Sequence, residues 1–402
     1  MPALIGADNF THRDFSANRH GLGSANGERG YWSVVNRLAG ISFDTAKIRD
    51  GRGFMKIVED GITATNARKG IAAGVQVLSF SAYFIVDTAP SVNSLMFWGG
   101  GPVNSGQLLM NSDGTIHWNL NGTGDQSFVG SKADGQPHRL QVKIDTSGTT
   151  FTVDVTLDGV TGTQAARSGQ TAADMTSLGI GSFTATHSLT FWIQDLVWSA
   201  TPTDYPIGGI DDHVVRSLNP SGDGTHAASI TAGDFDMGDG TDILTTTTNA
   251  FLEIDDYLTG SADSSTYIQD TAGASTEYTE HQLEDTDLTT IWDVFGYVAT
   301  FASSSTACTL TARVVDSLDA TLTDVLADED VSNTALNYNV AKIAAPGGSW
   351  DQAEVNGLKI RIGLSTNVAQ LPRCSAVMLQ VAGKAPPPPT GASFPARRAV
   401  VA

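Results

Sequence analysis

The sequence predicts an all-β chain: two β-sandwich, jelly-roll-like domains in tandem, followed by an extended Pro-rich C-terminal arm. Three observations carry this expectation. The 402 residues include 42 glycines but only 16% charged residues, a mix suited to short strands and turns. No window sustains a helical apolar stripe beyond about two turns, whereas apolar residues recur with a period of two. Turn signals separate these alternating runs at roughly 8- to 12-residue spacing.

The clearest stretch is His138 to Gly159. Leu140, Val142 and Ile144 alternate with Arg139, Gln141 and Lys143, and Phe151, Val153, Val155 and Leu157 alternate with Thr and Asp. The polar Thr146-Ser147-Gly148-Thr149 between them marks an antiparallel hairpin with one wet face, and Asp158-Gly159 supplies the next turn.

Around this hairpin a first domain spans residues 1–203. Residues 1–40 are polar and Gly-rich, and are expected to wrap it. Gly21 to Gly27 (GLGSANG) has its last glycine one place late for a dinucleotide loop, with no strand before it and no helix after it, so that reading is rejected. Gly53–Val58 reads as a strand. Residues 75–87 place Leu78, Phe80, Ala82, Phe84 and Val86 on one face. Residues 95–98 end in Gly99-Gly100-Gly101, and residues 107–111 and 115–119 flank the turn Ser112-Asp113-Gly114. Residues 188–199 close the series with Leu189, Phe191 and Ile193 on one face before the register shifts.

A Pro/Gly boundary from Thr201 to Gly209 opens a linker, residues 204–215. The second domain, 216–383, also reads all-β, with strands expected at 242–247, 251–257, 291–300, 308–316, 357–364 and 376–381. Residues 384–402 cannot build a core. Pro386, Pro387, Pro388 and Pro389 set a stiff stretch, and Arg397 and Arg398 are the clustered bases of an acidic half, so the segment reads as a frayed tail or as an arm for assembly.

Net charge is −20. Residues 1–200 hold 16 acids against 14 bases, leaving 27 against 9 in the remainder, and no Lys or Arg occurs from Ser217 to Ala312. Such a surface repels phosphate backbones, which argues against nucleic-acid binding. It suits solubility and protection of strand edges, or else bound Ca²⁺ or a basic partner. Cys308 and Cys374 have no C-x-x-C spacing and read as two small strand residues, with pairing left open. The N-terminus lacks the pattern of a secretory signal, and no apolar run is long enough to insert in a membrane.

Few titratable groups are patterned for catalysis. Glu253-Ile254-Asp255-Asp256-Tyr257 matches half of an E-x-D-x-E glycosidase strand, with Tyr257 where the second Glu belongs, so one carboxylate would have to do two jobs. There is no G-x-S-x-G elbow and no H-E-x-x-H among the eight histidines, and the expectation is a non-enzyme without cofactor. Asp234, Asp236, Asp239 and Asp242 offer alternating oxygens, read either as an acidic turn or as a Ca²⁺ site lacking the terminal Glu of an EF-hand. For glycan binding, Trp98, Asn104 and Trp118 are the candidates, with Trp192 and Trp198 added if they face outward.

The runs DGQPHRLQVKID (134–145), FTVDVTLDG (151–159) and FWIQDLVW (191–198) resemble the laminin-G/concanavalin-A-like jelly roll over roughly residues 40–200. Phe251 to Tyr257, Tyr267-Ile268 and Ser349 to Leu358 resemble a β-sandwich module at the C-termini of tailed-bacteriophage virion proteins. These resemblances imply a structural protein of a tailed-phage virion on tail, tail tip or capsid surface, partnered by copies of itself and by other virion proteins. The alternative is a carbohydrate-binding module that recognises a host-surface glycan through the first domain.

Overall fold

A computed structural model describes residues 4–8, 10, 34–36, 40–49, 52–101, 106–206, 213–227, 234–237, 242–243, 250–254, 267–270, 278–302, 309–330, 337–363 and 372–386. The chain is nearly all β, as predicted, and its strands pair antiparallel in four sheets.

A nine-stranded sheet runs in the order 160–161, 150–157, 138–145, 77–86, 190–199, 52–58, 41–49, with 165–168 and 4–8 attached at its sides. A seven-stranded sheet runs 126–127, 116–119, 106–110, 94–100, 175–181, 66–75, 34–36. Leu78, Phe80, Ala82, Phe84, Val86, Leu140, Val142, Ile144, Phe151, Val153 and Val155 all enter the core between them, the alternation read from sequence. The organising hairpin pairs Leu140 with Leu157 through Asp145 with Thr152 in unbroken register.

In Thr190–Ser199 the ladder to Val77–Val86 breaks between Gln194 and Val197, with Asp195 at φ 53°. This bulge divides the strand's labour. Its first half pairs with Arg52–Val58, and its second half pairs with the N-terminal strand Leu4–Asp8.

The other two sheets are built from residues 214–384. One runs 235–237, 268–270, 372–384, 290–302, 337–343, with 214–218 beside 372–384; the other runs 220–223, 278–283, 359–363, 309–315, 321–330. One face of the 290–302 strand (Val294, Val298) fills the core of these two sheets. The other face (Phe295, Tyr297, Ala299, Phe301) joins the apolar cluster of the first domain. Polar bonds reinforce the junction. Asp293 Oδ2 accepts from the Leu4 amide at 2.8 Å, Lys342 donates to the Leu4 carbonyl at 2.9 Å, and the Tyr297 hydroxyl lies 2.7 Å from the Ala7 carbonyl.

One local expectation is corrected, and one short helix is added. Residues 250–253 form a 3₁₀ helix, not the start of a strand. Gln352–Asn356 is a short α-helix held by a capping box, in which Asp351 accepts from the Glu354 amide and Glu354 accepts from the Asp351 amide. Five residues are too few to show a helical stripe in sequence.

Candidate functional site

The outward face of the nine-stranded sheet carries a second apolar group, Phe54, Tyr83, Ile85 and Trp192, distinct from the core on the inward face. Across the ladders Lys56 stands opposite Trp192, and Trp192 opposite Ile85. This face is covered by its own chain. The pairing of Ile41–Arg49 with Arg52–Val58 is interrupted between Asp44 and Arg49, and the arch so formed folds back over the sheet. Lys47 reaches Asp87 at 2.5 Å, and the Arg49 guanidinium lies 3.3 Å from the Tyr83 ring centroid.

Beside the arch opens a cleft of about 370 Å³ whose walls include Asp87, Thr88, Pro90, Ser91, Thr190 and Trp192. Among the described residues the hydroxyls of Thr88, Ser91 and Thr190 are bonded to no protein group, and Asp87 spends only one oxygen, on Lys47. The Trp192 indole N–H donates to Asp44 at 2.8 Å, and Lys47 and Lys56 sit 5.1 and 5.4 Å from its ring centroid. Burial pushes the Asp44 carboxyl up, but the indole, the Ala46 amide and the two lysines outweigh that and hold it below its usual value. Trp192 therefore offers an apolar wall, with its ring covered rather than presented as a stacking platform.

Glu59 backs the cleft from the inward side of the sheet. Its backbone bridges Leu189 in both directions, its side chain is 3% exposed, and neither carboxylate oxygen has a hydrogen-bond partner. Burial pushes its carboxyl up to about 8; the Ser182 amide opposes that shift without making a well-formed hydrogen bond.

A second cluster ties the bulge of Thr190–Ser199 to residues 213–215 and Trp292. Asp195 is wholly buried in the bulge and accepts from Arg49 at 2.7 Å, from Arg52 at 2.8 Å and from the Val215 amide at 3.1 Å. His213 bonds the Asp195 carbonyl at 2.6 Å and stacks between Tyr83 and Trp292. Burial drives the His213 imidazole down to about 3, so it is neutral. Burial also acts to raise Asp195, and the two guanidiniums overcome it, keeping the carboxylate ionised.

A third cluster, in the second domain, places Asp223 3.2 Å from His281 Nδ1 and Thr279 Oγ1 3.0 Å from His281 Nε2. The order carboxylate, imidazole, hydroxyl is that of a nucleophile relay. Thr279 and His281 are both fully buried, however, and no substrate reaches the hydroxyl. Neighbouring Glu280 is held by Arg361 and Lys359. This is an internal polar network.

The tryptophans singled out from sequence lie inside. Trp98 is 6% exposed, donates to the Gly181 carbonyl and covers Gly179, its cross-strand partner, where any Cβ would overlap the indole. Trp118 is fully buried and donates to the Thr163 carbonyl. Neither ring has a free face for a sugar, which removes both from a stacking role: Trp118 packs into the core over Gly162, and Trp98 lies flat over Gly179 on the other face of its sheet. Trp198 is also buried. Asn104 and Asp239 lie outside the described residues, as do Pro387, Pro388, Pro389, Arg397, Arg398 and Cys308. Pro386 follows the last strand, and Cys374 is buried.

Asp236 and Asp242 meet across an isolated bridge, and burial together with the Asp242 charge raises the Asp236 carboxyl. Among the described residues no three His, Cys, Asp or Glu side chains converge as metal ligands; Asp239, the fourth acidic candidate of this stretch, is not among them. No helix among them is long and apolar enough to cross a membrane.

No family model matches the chain, and no curated protein matches it. Among solved structures it is similar to a sialidase (12% identity, 50% of this chain and 19% of that one, TM-score 0.34). It is also similar to a carbohydrate esterase from Shiga toxin-encoding bacteriophage phi24B (15%, 48% and 98%, TM-score 0.32). A third is lectin I-B4 from Griffonia simplicifolia (11%, 40% and 93%, TM-score 0.25). The chain thus spans about a fifth of that sialidase. At these scores the likeness carries no argument about what this chain binds or does.

Proposed function

We propose that this chain is a non-enzymatic β-sandwich protein that binds a saccharide in the cleft between the 87–91 loop and the 190–192 segment. The observation behind this reading is the convergence of three uncommitted hydroxyls, Thr88, Ser91 and Thr190, with the spare oxygen of Asp87 on one cleft walled by Trp192. Polar groups without protein partners at an apolar wall suit a ligand that presents hydroxyls and C–H surface together. Recognition rests on hydrogen bonds, because the ring is covered. A glycan array on the intact protein, followed by calorimetry on any hit, tests the reading. Thr190→Val with Ser91→Ala is expected to weaken binding about ten-fold or more while the thermal transition is kept. Retention of no glycan, or undiminished binding by the double variant, overturns it.

A structural role within a tailed-phage virion is the second reading. The firm junction built from Leu4–Asp8, Asp195 and the Tyr83–His213–Trp292 stack favours it, since a rigid pair of sandwiches transmits position to whatever it docks on. Residues 384–402 would serve as the assembly arm. Light scattering with and without them is the test, and a monomer in both cases speaks against arm-driven self-assembly.

A further inference from the structure

We infer that the saccharide taken by this cleft is uncharged, and that Lys47 of the arch sets this preference by neutralising Asp87 at the cleft wall. This inference rests on the saccharide reading above and narrows it. The ionisable groups that line the cleft are of one kind, the carboxyls of Asp87 and Glu59. Two free carboxylates would draw a cationic ligand such as an amino sugar and repel an acidic one. Neither carboxyl is free to do so.

Glu59 brings no charge to a ligand. Both its oxygens are shut away from solvent, and burial pushes its carboxyl up to about 8, so it is protonated at neutral pH. Asp87 is balanced from outside the lining. Lys47, carried over the sheet by the arch, meets its Oδ1 at 2.5 Å. The other pair of charges near Trp192 closes in the same way. Lys56 lies 5.4 Å from the ring centroid, and Asp44, which accepts from the indole N–H at 2.8 Å, feels the charge of both lysines. Two lysines and two aspartates therefore surround the Trp192 wall, and their charges cancel. An ionised sugar would give up its hydration here and meet a counter-charge that is already paired. The hydroxyls of a neutral sugar meet Thr88, Ser91 and Thr190, which both donate and accept, and the second oxygen of Asp87, which accepts.

The experiment compares oligosaccharides of equal length and linkage, one neutral, one carrying a uronic acid and one carrying a free amino group, by calorimetry against the full chain at about pH 7. Wild type should bind the neutral member at least about ten-fold more tightly than either charged partner. Its neutral affinity should change by less than about two-fold between roughly 50 and 500 mM NaCl. Two variants should then tip the preference in opposite directions. Lys47→Gln leaves Asp87 without its cation and should bring the amino member level with the neutral one or above it. Asp87→Asn leaves Lys47 without its anion and should do the same for the uronate. Thermal melts establish that both variants fold; where one does not, the wild-type ratios and the salt series decide. Equal or tighter binding of a charged member by wild type overturns the inference while the saccharide reading stands. So does a charged-to-neutral ratio that either folded variant leaves unchanged. Binding of no oligosaccharide, neutral or charged, overturns both.

Discussion

Replacing Glu59 by Gln should make the protein more stable at neutral pH, by an amount that grows with pH. The carboxyl is 3% exposed, its two oxygens are unpartnered, and burial holds its pKa at about 8 against an ordinary 4.5. Below pH 4.5 the group is protonated in both folded and unfolded chains and adds no pH dependence. Above it the unfolded chain releases the proton while the folded chain keeps it, so stability falls with pH. Each pH unit costs about 1.4 kcal/mol. From 4.5 to 7 that slope accumulates to about 3 kcal/mol, and it levels off near pH 8, where the folded group also ionises. The amide side chain of Glu59→Gln would keep the shape and the backbone bridge to Leu189 but has no proton to lose. Urea unfolding of both proteins at roughly pH 5, 6, 7 and 8 measures the difference, followed by tryptophan fluorescence, to which five of the seven indoles contribute from residues 1–203. The gap should widen with pH in favour of the variant. Parallel pH profiles would refute the reasoning, and would mean that Glu59 finds a partner or reaches water.

Other substitutions test other parts of the fold. Asp195→Asn removes the carboxylate that Arg49 and Arg52 share in the bulge and should cost about 3–5 kcal/mol in denaturant unfolding, because two guanidiniums are left beneath the linker. Trp98→Ala should lower stability by about 3–5 kcal/mol and leave glycan retention on an array intact, the reverse of what a sugar platform would show. His138 bonds Asp158 at 2.8 Å and Asp134 at 3.0 Å; burial lowers its pKa, but the two carboxylates prevail and raise it above 6.5. Its contribution is therefore complete below pH 6.5 and is lost as pH rises through the raised value. His138→Gln should flatten the stability profile over that window in thermal melts.

Much of the fold was legible because strand alternation is a local property. The residues expected inward at 78–86 and 140–157 are the ones that fill the first core, and the register shift seen after Ile193 is the Asp195 bulge. Where legibility ended, the cause was tertiary. The strand at residues 66–75 hides its pattern because alanine and glycine interrupt its alternation. Leu4–Asp8 reads as a polar leader, yet it is a sheet strand because a bulge far along the chain frees half of Thr190–Ser199 to pair with it.

The site follows the same division. Residue types, charge balance and the period of two belong to the sequence, and they determined an all-β, acidic chain with few groups patterned for catalysis. Which tryptophan faces a cleft did not belong to it. Trp98, Trp118 and Trp192 sit in strands of similar composition, and their fates depend on what lies across the sheet. Gly162 makes room for Trp118 to sink into the core, Trp98 lies flat over Gly179 on the other face of its own sheet, and Lys56 and an arch of chain 45–48 cover Trp192. Burial is a property of the partner as much as of the residue, so only the tertiary structure decided it.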